Sequence, residues 1–259
     1  MKTIIANWKM NVGVRESVAL ARGTLLALRG RRVIPEVVIC PPFVALSEVH
    51  KVIAHSAVQI GAQNVFWEDH GAFTGEISAR MLTELGVSHV IIGHSERREN
   101  LCETDEMAKK KVAQALANQM NVILCVGETA QERTAGTERE RVRTQLAHAL
   151  SDVRLKSHDR LLIAYEPVWA IGTGQTPDVP DVLAMHEFIR SVLSDVLPNM
   201  DASQLRVLYG GSVDGTNSYQ FLREKTIDGL LVGAASVKLN QFKEIIDATS
   251  EVLDAQKSV

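Results

Sequence analysis

Short apolar runs rich in β-branched residues recur about every 25 to 40 residues along the chain, and longer amphipathic segments separate them. A run without polar alternation is typical of a strand buried on both faces, as in a parallel sheet covered by helices. Eight such units in about 250 residues predict a closed (β/α)8 barrel, an α/β fold with eight parallel strands ringed by helices. The predicted strands are Ile4 to Trp8, Val37 to Cys40, Val58 to Ala62, His89 to Ile92, Val122 to Val126, Leu161 to Tyr165, Arg206 to Tyr209 and Leu230 to Val232.

Two of the intervening segments carry clear helix boundaries. Asp178 and Pro180 predict the start of one helix and Pro198 its end, because proline fits the first turn of a helix but not its interior. Thr104 predicts the N-cap of another. The predicted inward stripes are Val182, Met185, Ile189, Val192, Leu193 and Val196 in the first, and Ala108, Val112, Ala115 and Leu116 in the second. A doubly wound open sheet is the alternative, but the GxGxxG sequence expected after its first strand is absent.

The composition is that of an ordinary globular protein, with 259 residues, 46% hydrophobic, 23% charged and a net charge of -3. Because no linker or low-complexity tract interrupts the pattern, residues 1 to 259 are expected to form a single domain. The slight negative charge disfavours nucleic acid or an anionic membrane as a partner. We therefore interpret the basic runs Lys109 to Lys111 and Arg139, Arg141 and Arg143 as solvated helix faces.

Targeting, redox and metal signals are weak. No apolar run approaches the roughly 20 residues of a membrane span, and Asn7 and Lys9 interrupt the N-terminal segment too early for a signal peptide, so a cytoplasmic location is expected. Cys40, Cys102 and Cys125 lack CxxC spacing, which favours reduced and mostly buried thiols. Without HExxH or paired Cys/His spacing, no metal site is expected.

Polar residues directly follow the predicted strands, where the chemistry of such a barrel takes place. Residues 161 to 174, LLIAYEPVWAIGTG, run from a buried strand through Glu166 into a loop that combines Trp169 and Ile171 with glycines. Apolar bulk joined to backbone freedom is typical of a lid, so Glu166 is the predicted catalytic base beneath it. The other polar or glycine strand ends are Lys9, His94, Ser95, Glu128, Gly210, Gly211, Ser212 and Gly233.

Glycine turns follow the last two predicted strands, at residues 210 to 212 and at Gly233. Backbone N–H groups in such turns can approach a phosphate, and a short helix predicted to begin near Ala234 would add its positive end. A base, a cation, an imidazole and two phosphate-binding turns are thus expected at one mouth of the barrel.

Six short motifs resemble those of the triosephosphate isomerase family, in the same order along the chain. They are NWKMN at 7 to 11, GAFTGE at 71 to 76, GHSERR at 93 to 98, CVGE at 125 to 128, AYEPVWAIGTG at 164 to 174 and YGGS at 209 to 212. The resemblance implies a TIM barrel that interconverts dihydroxyacetone phosphate and D-glyceraldehyde 3-phosphate, in glycolysis and gluconeogenesis, without a metal or a cofactor.

The resemblance also implies a role for each site residue. Glu166 would be the base, His94 the electrophile, and Lys9 with Asn7 the polar floor. The family is itself a known example of a neutral histidine whose pKa is lowered by a helix N-terminus, and the resemblance extends this expectation to His94. The residues expected to bind substrate or its phosphate are Asn7, Lys9, Gly172, Gly211, Ser212, Gly233 and Ala234, supported by Ser95 and Glu96. A direct role for Glu96 stays open. Glu128, His50, His55, His70, His148, His158 and His186 are interpreted as structural.

The chemistry explains these residue types. Moving a proton between carbons beside a carbonyl requires one base, and the enediolate that develops requires fixed donors or positive charge. Two other classes stay open. A phosphate-binding lyase or aldolase would share the glycine turns but would normally use a Schiff-base lysine or a metal cluster. A non-catalytic sugar-phosphate-binding barrel would be expected to lose Glu166, His94 or Lys9.

The loop at residues 63 to 76, QNVFWEDHGAFTGE, carries three aromatic residues that would be poorly soluble if fully exposed. The resemblance implies that it inserts into a second subunit of a homodimer, where Thr74 supports the Asn7 and Lys9 region in trans. The alternative is that the aromatic rings pack beneath their own loop. Two residues depart from the family pattern. Ala234 replaces a glycine, which would cause strain if its φ were positive, and Pro177 could stiffen the end of the lid.

Overall fold

The computed structural model describes residues 1–155, 160–173, 175–201 and 204–257. Its eight strands pair in parallel in sequence order, and β1 also pairs with β8, which closes the barrel. The predicted fold class and all eight strands are therefore confirmed. The strands are β1 Thr3–Asn7, β2 Glu36–Cys40, β3 Gln59–Ala62, β4 His89–Ile92, β5 Asn121–Val126, β6 Leu161–Tyr165, β7 Arg206–Tyr209 and β8 Gly229–Val232.

Helices surround the strands, and each of the eight strands is followed by at least one α-helix. The α-helices are α1 Val14–Leu28, α2 Leu46–Ile53, α3 Ala79–Glu84, α4 Ser95–Asn100, α5 Asp105–Ala117, α6 Ala130–Thr134, α7 Glu138–Leu150, α8 Val179–Val196, α9 Ser218–Leu222 and α10 Leu239–Lys257. Short 3₁₀ helices lie at Phe43–Ala45, Val168–Ala170 and Ala234–Val237. Among the described helices, none combines the length and apolarity that crossing a membrane requires.

The predicted helix boundaries are confirmed. The Thr104 side chain accepts a hydrogen bond from the backbone N–H of Met107, which satisfies one of the free donors at the start of α5. Asp178 is the N-cap residue of α8, with Pro180 in the first turn, and the helix ends at Val196, before Pro198. The α8 stripe faces the strands with Val182, Met185, Ile189, Val192 and Leu193 buried.

The barrel interior is a packed core and not a channel. One cluster of buried side chains fills it, including Ile5, Val38, Ile91, Leu162 and Leu208. A larger cluster lies between the outer faces of the strands and the helices. Burial on both faces explains why the strands read as continuous apolar runs.

A polar layer closes the amino-terminal end of the barrel. Glu36 accepts two hydrogen bonds from Arg160, at 2.7 and 2.9 Å, and further ones from Arg206 and Thr3. Burial would raise the pKa of Glu36, but these hydrogen bonds and positive charges lower it to about 2. His89 is fully buried in the same layer, and burial lowers its pKa to about 4.

The expectation that the whole Lys109 to Lys111 run is solvated was wrong for Lys111. Its side chain is buried, and its Nζ atom donates to Asn64 Oδ1 at 2.8 Å and to Glu103 Oε2 at 2.5 Å. A lysine can be buried in this way because a carboxylate and an amide oxygen replace its hydration. Cys40 and Cys125 are buried and Cys102 is exposed, and all three are free thiols.

Candidate active site

The candidate site is a cavity of about 560 Å³ at the carboxyl ends of the barrel strands. The structure brings nearly all the predicted site residues together around it. Those that line the cavity are Asn7, Lys9, His94, Ser95, Glu96, Glu166, Gly172, Gly211, Ser212, Gly233 and Ala234. Thr74 does not line it in this chain. Thr74 lies instead on the loop after β3, where its side chain is exposed.

His94 and Glu166 form a close buried pair. His94 Nε2 lies 3.0 Å from Glu166 Oε1, and the other carboxylate oxygen accepts a hydrogen bond from the backbone N–H of Ser95 at 2.9 Å. His94 is also the N-cap of α4, and its Nδ1 atom accepts the backbone N–H of Glu96 at 3.2 Å. Because Nδ1 is an acceptor, the proton of the neutral imidazole must lie on Nε2, which faces the cavity.

The pair perturbs the pKa of both members. Burial favours neutral His94, but the negative charge of Glu166 close to the ring outweighs burial and raises the pKa of His94. This direction is opposite to the lowered histidine pKa that the resemblance implies, and the position of the Glu166 carboxylate is the cause. Burial would raise the pKa of Glu166, but His94, the Ser95 N–H and Lys9 lower it.

Lys9 is held in place by both its side chain and its backbone. Its Nζ atom lies 2.5 Å from Glu96 Oε1, and its backbone N–H donates to Asn7 Oδ1 at 3.1 Å. Its φ of +52° falls in the left-handed region, which costs energy for a residue with a Cβ atom. Gln63 stabilises this conformation by donating to the Lys9 carbonyl at 2.9 Å. Glu96 therefore serves at least as the ion-pair partner of Lys9.

A side chain would clash in the first glycine turn and would fit tightly in the second. A Cβ atom at Gly211 would lie 2.1 Å from the Tyr209 hydroxyl, and one at Gly233 would lie 3.2 Å from Lys9 Cε. Ala234 is the first residue of the 3₁₀ helix Ala234–Val237, a conformation with negative φ. The strain that a positive φ would have caused at Ala234 is therefore absent.

The segment after Glu166 begins with the 3₁₀ helix Val168–Ala170 and leaves the body of the barrel at Gly172, whose φ is +71°. Gly172 and Thr173 are exposed, and Gly174 lies outside the described residues. Ser212 Oγ donates to the Ala170 carbonyl at 2.8 Å, which joins this segment to the turn after β7. Pro177 is buried, so the far end of the segment is packed against the protein.

Glu128 is buried beneath this segment and does not line the cavity. It contacts Tyr165 and Trp169, as its structural interpretation requires. His186 is also buried away from the cavity, and burial lowers its pKa to about 3. His50, His55, His70 and His148 do not line the cavity either, whereas His158 lies outside the described residues.

Several other residues that line the cavity carry no recognisable signal in the sequence. They are Glu99, Thr176, Asp214, Asn217, Lys238 and Gln241. Asn217 has an indirect role, because its side chain donates to the Ser212 carbonyl at 3.1 Å and fixes the turn after β7. Lys238 is the C-cap residue of the 3₁₀ helix after β8, and nothing in the sequence distinguishes it from the other lysines.

A buried glutamate beside a histidine, at the carboxyl ends of eight parallel strands, defines a (β/α)8-barrel enzyme of the acid–base type. Comparison with known proteins narrows the class. The sequence profile described as triosephosphate isomerase matches residues 2–249, and the chain belongs to the triosephosphate isomerase family.

Relatives from several bacteria cover almost the whole chain. A triosephosphate isomerase of Chloroherpeton thalassium is 44% identical over 245 residues, which are 95% of this chain and 97% of that protein. One from Alkaliphilus metalliredigens is 44% identical over 247 residues, 95% of this chain and 99% of that protein. One from Caldanaerobacter subterraneus is 43% identical over 244 residues, 94% of this chain and 98% of that protein.

Proposed function

We propose that the protein is an intramolecular isomerase that interconverts dihydroxyacetone phosphate and D-glyceraldehyde 3-phosphate through an enediolate, in glycolysis and gluconeogenesis. The observation that carries this proposal is the buried carboxylate of Glu166, 3.0 Å from His94 Nε2, in a cavity whose wall includes both glycine turns. One base and one N–H donor at this spacing suit proton transfer between adjacent carbons. The proposed chemistry uses no metal and no cofactor.

Glu166 is proposed as the base. In the conformation seen, His94, the Ser95 N–H and Lys9 stabilise its ionised form. Substrate entering between Glu166 and His94 would displace the carboxylate from those partners. Because burial alone raises the pKa of a carboxylate, Glu166 becomes more basic as it turns toward the substrate carbon. The site therefore holds a weak base at rest and a stronger one in the complex.

His94 and Lys9 are proposed to stabilise the charge that develops on the oxygens. His94 Nε2–H can donate to the carbonyl oxygen, because the Glu96 N–H already occupies Nδ1. Lys9 is proposed to bring its positive charge to the same oxygen or to the phosphate, with Asn7 holding its backbone. In the resting site Glu96 pairs with Lys9 and offsets part of its positive charge. When substrate binds, this ion pair would weaken and the Lys9 charge would act on the substrate.

The phosphate is proposed to bind between the turns at Gly211, Ser212, Gly233 and Ala234, with the N–H of Gly172 added when the lid closes. This proposal is supported by the position of all four residues, and of Gly172, on the cavity wall, where backbone N–H groups can approach a phosphate. Closure would also remove water from around the enediolate, which favours its conversion to product over side reactions.

A homodimer through the loop at 63 to 76 is proposed as the working assembly, with Thr74 supporting Asn7 and Lys9 of a second copy. Phe66 stacks on Trp67 with ring centroids 4.1 Å apart, so part of the loop's aromatic surface packs on itself. Phe73 nevertheless remains 43% exposed. Exposed apolar residues also follow the neighbouring strands, namely Met10, Val44 and Leu101. Because β1 to β4 are adjacent, these loops lie along one side of the barrel mouth.

The proposal extends to the whole chain as one barrel domain, residues 1 to 259, acting in the cytoplasm on a small phosphorylated substrate and not on nucleic acid. Its test is a coupled assay with D-glyceraldehyde 3-phosphate in the presence of a chelator. Turnover that survives chelation supports the isomerase. Carbon–carbon cleavage products, or binding without turnover, would favour the lyase or the non-catalytic barrel instead.

A further inference from the structure

Trp169, the first aromatic residue of the lid, is held by a cluster of three side chains that we call the latch: Glu128, Arg133 and Asp181. The indole N–H of Trp169 donates to Glu128 Oε1 at 2.7 Å. The same oxygen accepts the hydroxyl of Tyr165 at 3.1 Å. Glu128 is fully buried, so this carboxylate fixes the position of the ring from below.

Arg133, at the end of α6, covers the face of the Trp169 ring. Its guanidinium carbon lies 4.5 Å from the ring centroid, within the range of a cation–π interaction. Its Nη1 atom lies 3.8 Å from Glu128 Oε1, and its Nη2 atom is 2.6 Å from Asp181 Oδ2. Arg133 thus contacts the lid and the carboxylate together, while Asp181 in the first turn of α8 orients its guanidinium.

The contacts that hold Trp169 depend on one another, because Glu128 and Arg133 each contact both the ring and the other charged group. In the described part of the chain, Arg133 is the cation that pairs with the buried Glu128. If the ring leaves, the indole loses its acceptor, the guanidinium loses its aromatic face, and Glu128 loses a donor in a site where water has little access. The latch therefore stabilises the lid position seen here, in which Gly172 and Thr173 are exposed.

We propose that Arg133, oriented by Asp181, is a positioning residue that sets the equilibrium between this open lid and a lid closed over substrate. The inference rests on the proposed function only in that the lid closes over a phosphorylated ligand. The Arg133–Asp181 bridge joins the elements on either side of the lid base, so breaking it weakens the hold on the open position. Asp181→Asn breaks the bridge without touching the cavity, since Asp181 does not line it.

The chain offers a matched control on the same helix. Asp195 of α8 pairs with Arg143 of α7 at 3.1 Å, and that guanidinium lies 5.5 Å from the centroid of the Phe188 ring. Asp195→Asn therefore removes a comparable bridge to an arginine above an aromatic ring, remote from the lid. Asp181→Glu keeps the charge and serves as the conservative rescue.

The experiment labels the full-length protein with 5-fluorotryptophan and follows the Trp169 resonance by ¹⁹F NMR during titration with 2-phosphoglycolate, a ligand that the family resemblance implies binds the closed lid. Asp181→Asn is expected to raise the closed-to-open ratio and to lower the apparent Kd about two- to fivefold, the size expected for one partly exposed bridge and a weakened cation–π contact. Asp195→Asn should match the wild type, and Asp181→Glu should restore it. Arg133→Lys, which keeps the charge but loses the planar guanidinium, should shift the ratio in the same direction as Asp181→Asn.

Each other outcome counts against the inference. A Trp169 resonance that responds to 2-phosphoglycolate in the wild type and identically in Asp181→Asn would show that the latch does not set the lid equilibrium, and would leave the proposed function standing. The inference is also rejected if Asp181→Asn lowers the urea midpoint of unfolding but leaves the closed-to-open ratio and the apparent Kd unchanged. A wild-type protein that binds no 2-phosphoglycolate and isomerises no triose phosphate would reject the proposed function and the latch together.

Discussion

His94 Nε2 and Glu166 Oε1 lie 3.0 Å apart, with 7% and 2% of the two side chains exposed. The proposed donor to the carbonyl and the proposed base therefore stabilise each other before substrate arrives. Substrate must separate them, and each must then replace its partner with a substrate atom. This arrangement gives the resting site a defined geometry and makes the pair the first place to test.

Replacing Glu166 with glutamine should remove the base and preserve the shape of the site. Turnover should fall by about 10² to 10⁴, with a modest change in KM, because general-base catalysis is lost and substrate binding is not. Steady-state kinetics in both directions measure this. Glu99→Gln, which alters another carboxyl group lining the cavity, is the control and should keep most of the activity. A Glu166→Gln variant with more than about a tenth of wild-type turnover would exclude Glu166 as the base.

Ser95→Pro should change the pH dependence of activity without breaking α4. Proline is tolerated at the first position of a helix, and the extended backbone of His94, with φ of -53° and ψ of 140°, suits a residue before proline. The variant loses the N–H that donates to Glu166, so the pKa of Glu166 in the free enzyme should rise. The acid limb of the kcat/KM profile should move to higher pH. Ser95→Ala keeps the N–H, and an equal shift in that variant would refute the explanation.

His89 should make the protein less stable in mild acid. Its folded pKa is about 4 against an ordinary value of 6.5, so the unfolded chain binds the additional proton first. The stability that follows from keeping His89 neutral is complete above about pH 6.5 and is lost as pH falls toward 4, by at most about 3 kcal/mol. Urea unfolding at fixed protein concentration measures it. His89→Gln should flatten this dependence, whereas His148→Gln, at an exposed position, should not.

Replacing Phe73 and Thr74 with charged residues should lower the mass in solution and the activity together. The charges would be buried against a second copy if the loop at 63 to 76 forms the interface, and Asn7 and Lys9 would lose their support. Light scattering and kinetics on the same sample provide the measurement. Leu26→Glu, at a position that is 67% exposed on α1, is the matched control. A monomer with full activity would contradict support in trans.

Pro177→Ala should change lid motion and leave the chemistry intact. The buried proline fixes φ at the far end of the lid, so closure must be absorbed by residues nearer to Trp169 and Gln175. Relaxation dispersion of the Trp169 and Gly172 amides, with and without 2-phosphoglycolate, follows the exchange. Turnover should change only if opening and product release limit the rate. Identical exchange in the variant and the wild type would place the hinge away from residue 177.

The barrel could be predicted from the sequence because its strands are buried on both faces and read as uninterrupted apolar runs. The mouth could be predicted because residues after consecutive strands meet at one end whatever the helices between them do. The partners of individual charged side chains could not be predicted. Lys111 looks like its neighbours Lys109 and Lys110, and only the folded chain shows that it faces Glu103 and Asn64.

The same limit applies to the polar layer and to the latch. Glu36 and Arg160 are far apart in the sequence, and Arg133 and Asp181 lie on different helices, so no periodicity connects them. The pKa of His94 shows a related limit. A motif predicts which residue types meet, but the direction of a pKa shift depends on where the neighbouring carboxylate points.

Because the interior of the barrel is packed, the cavity around Glu166 opens to solvent at one end of the barrel. Ile5, Val38, Ile91 and Leu208 fill the space behind Glu166, and the arginine-rich layer closes the opposite end. Within the described part of the chain, a proton can therefore reach Glu166 from solvent only through the mouth that the lid covers. If Glu166 is the base, a hydrogen isotope that it takes from one substrate carbon while the lid is closed can return to that carbon or move to the next one, but it cannot exchange with bulk solvent. The fraction of label retained in product is then a clock that compares the lifetime of the enediolate with the opening of the lid.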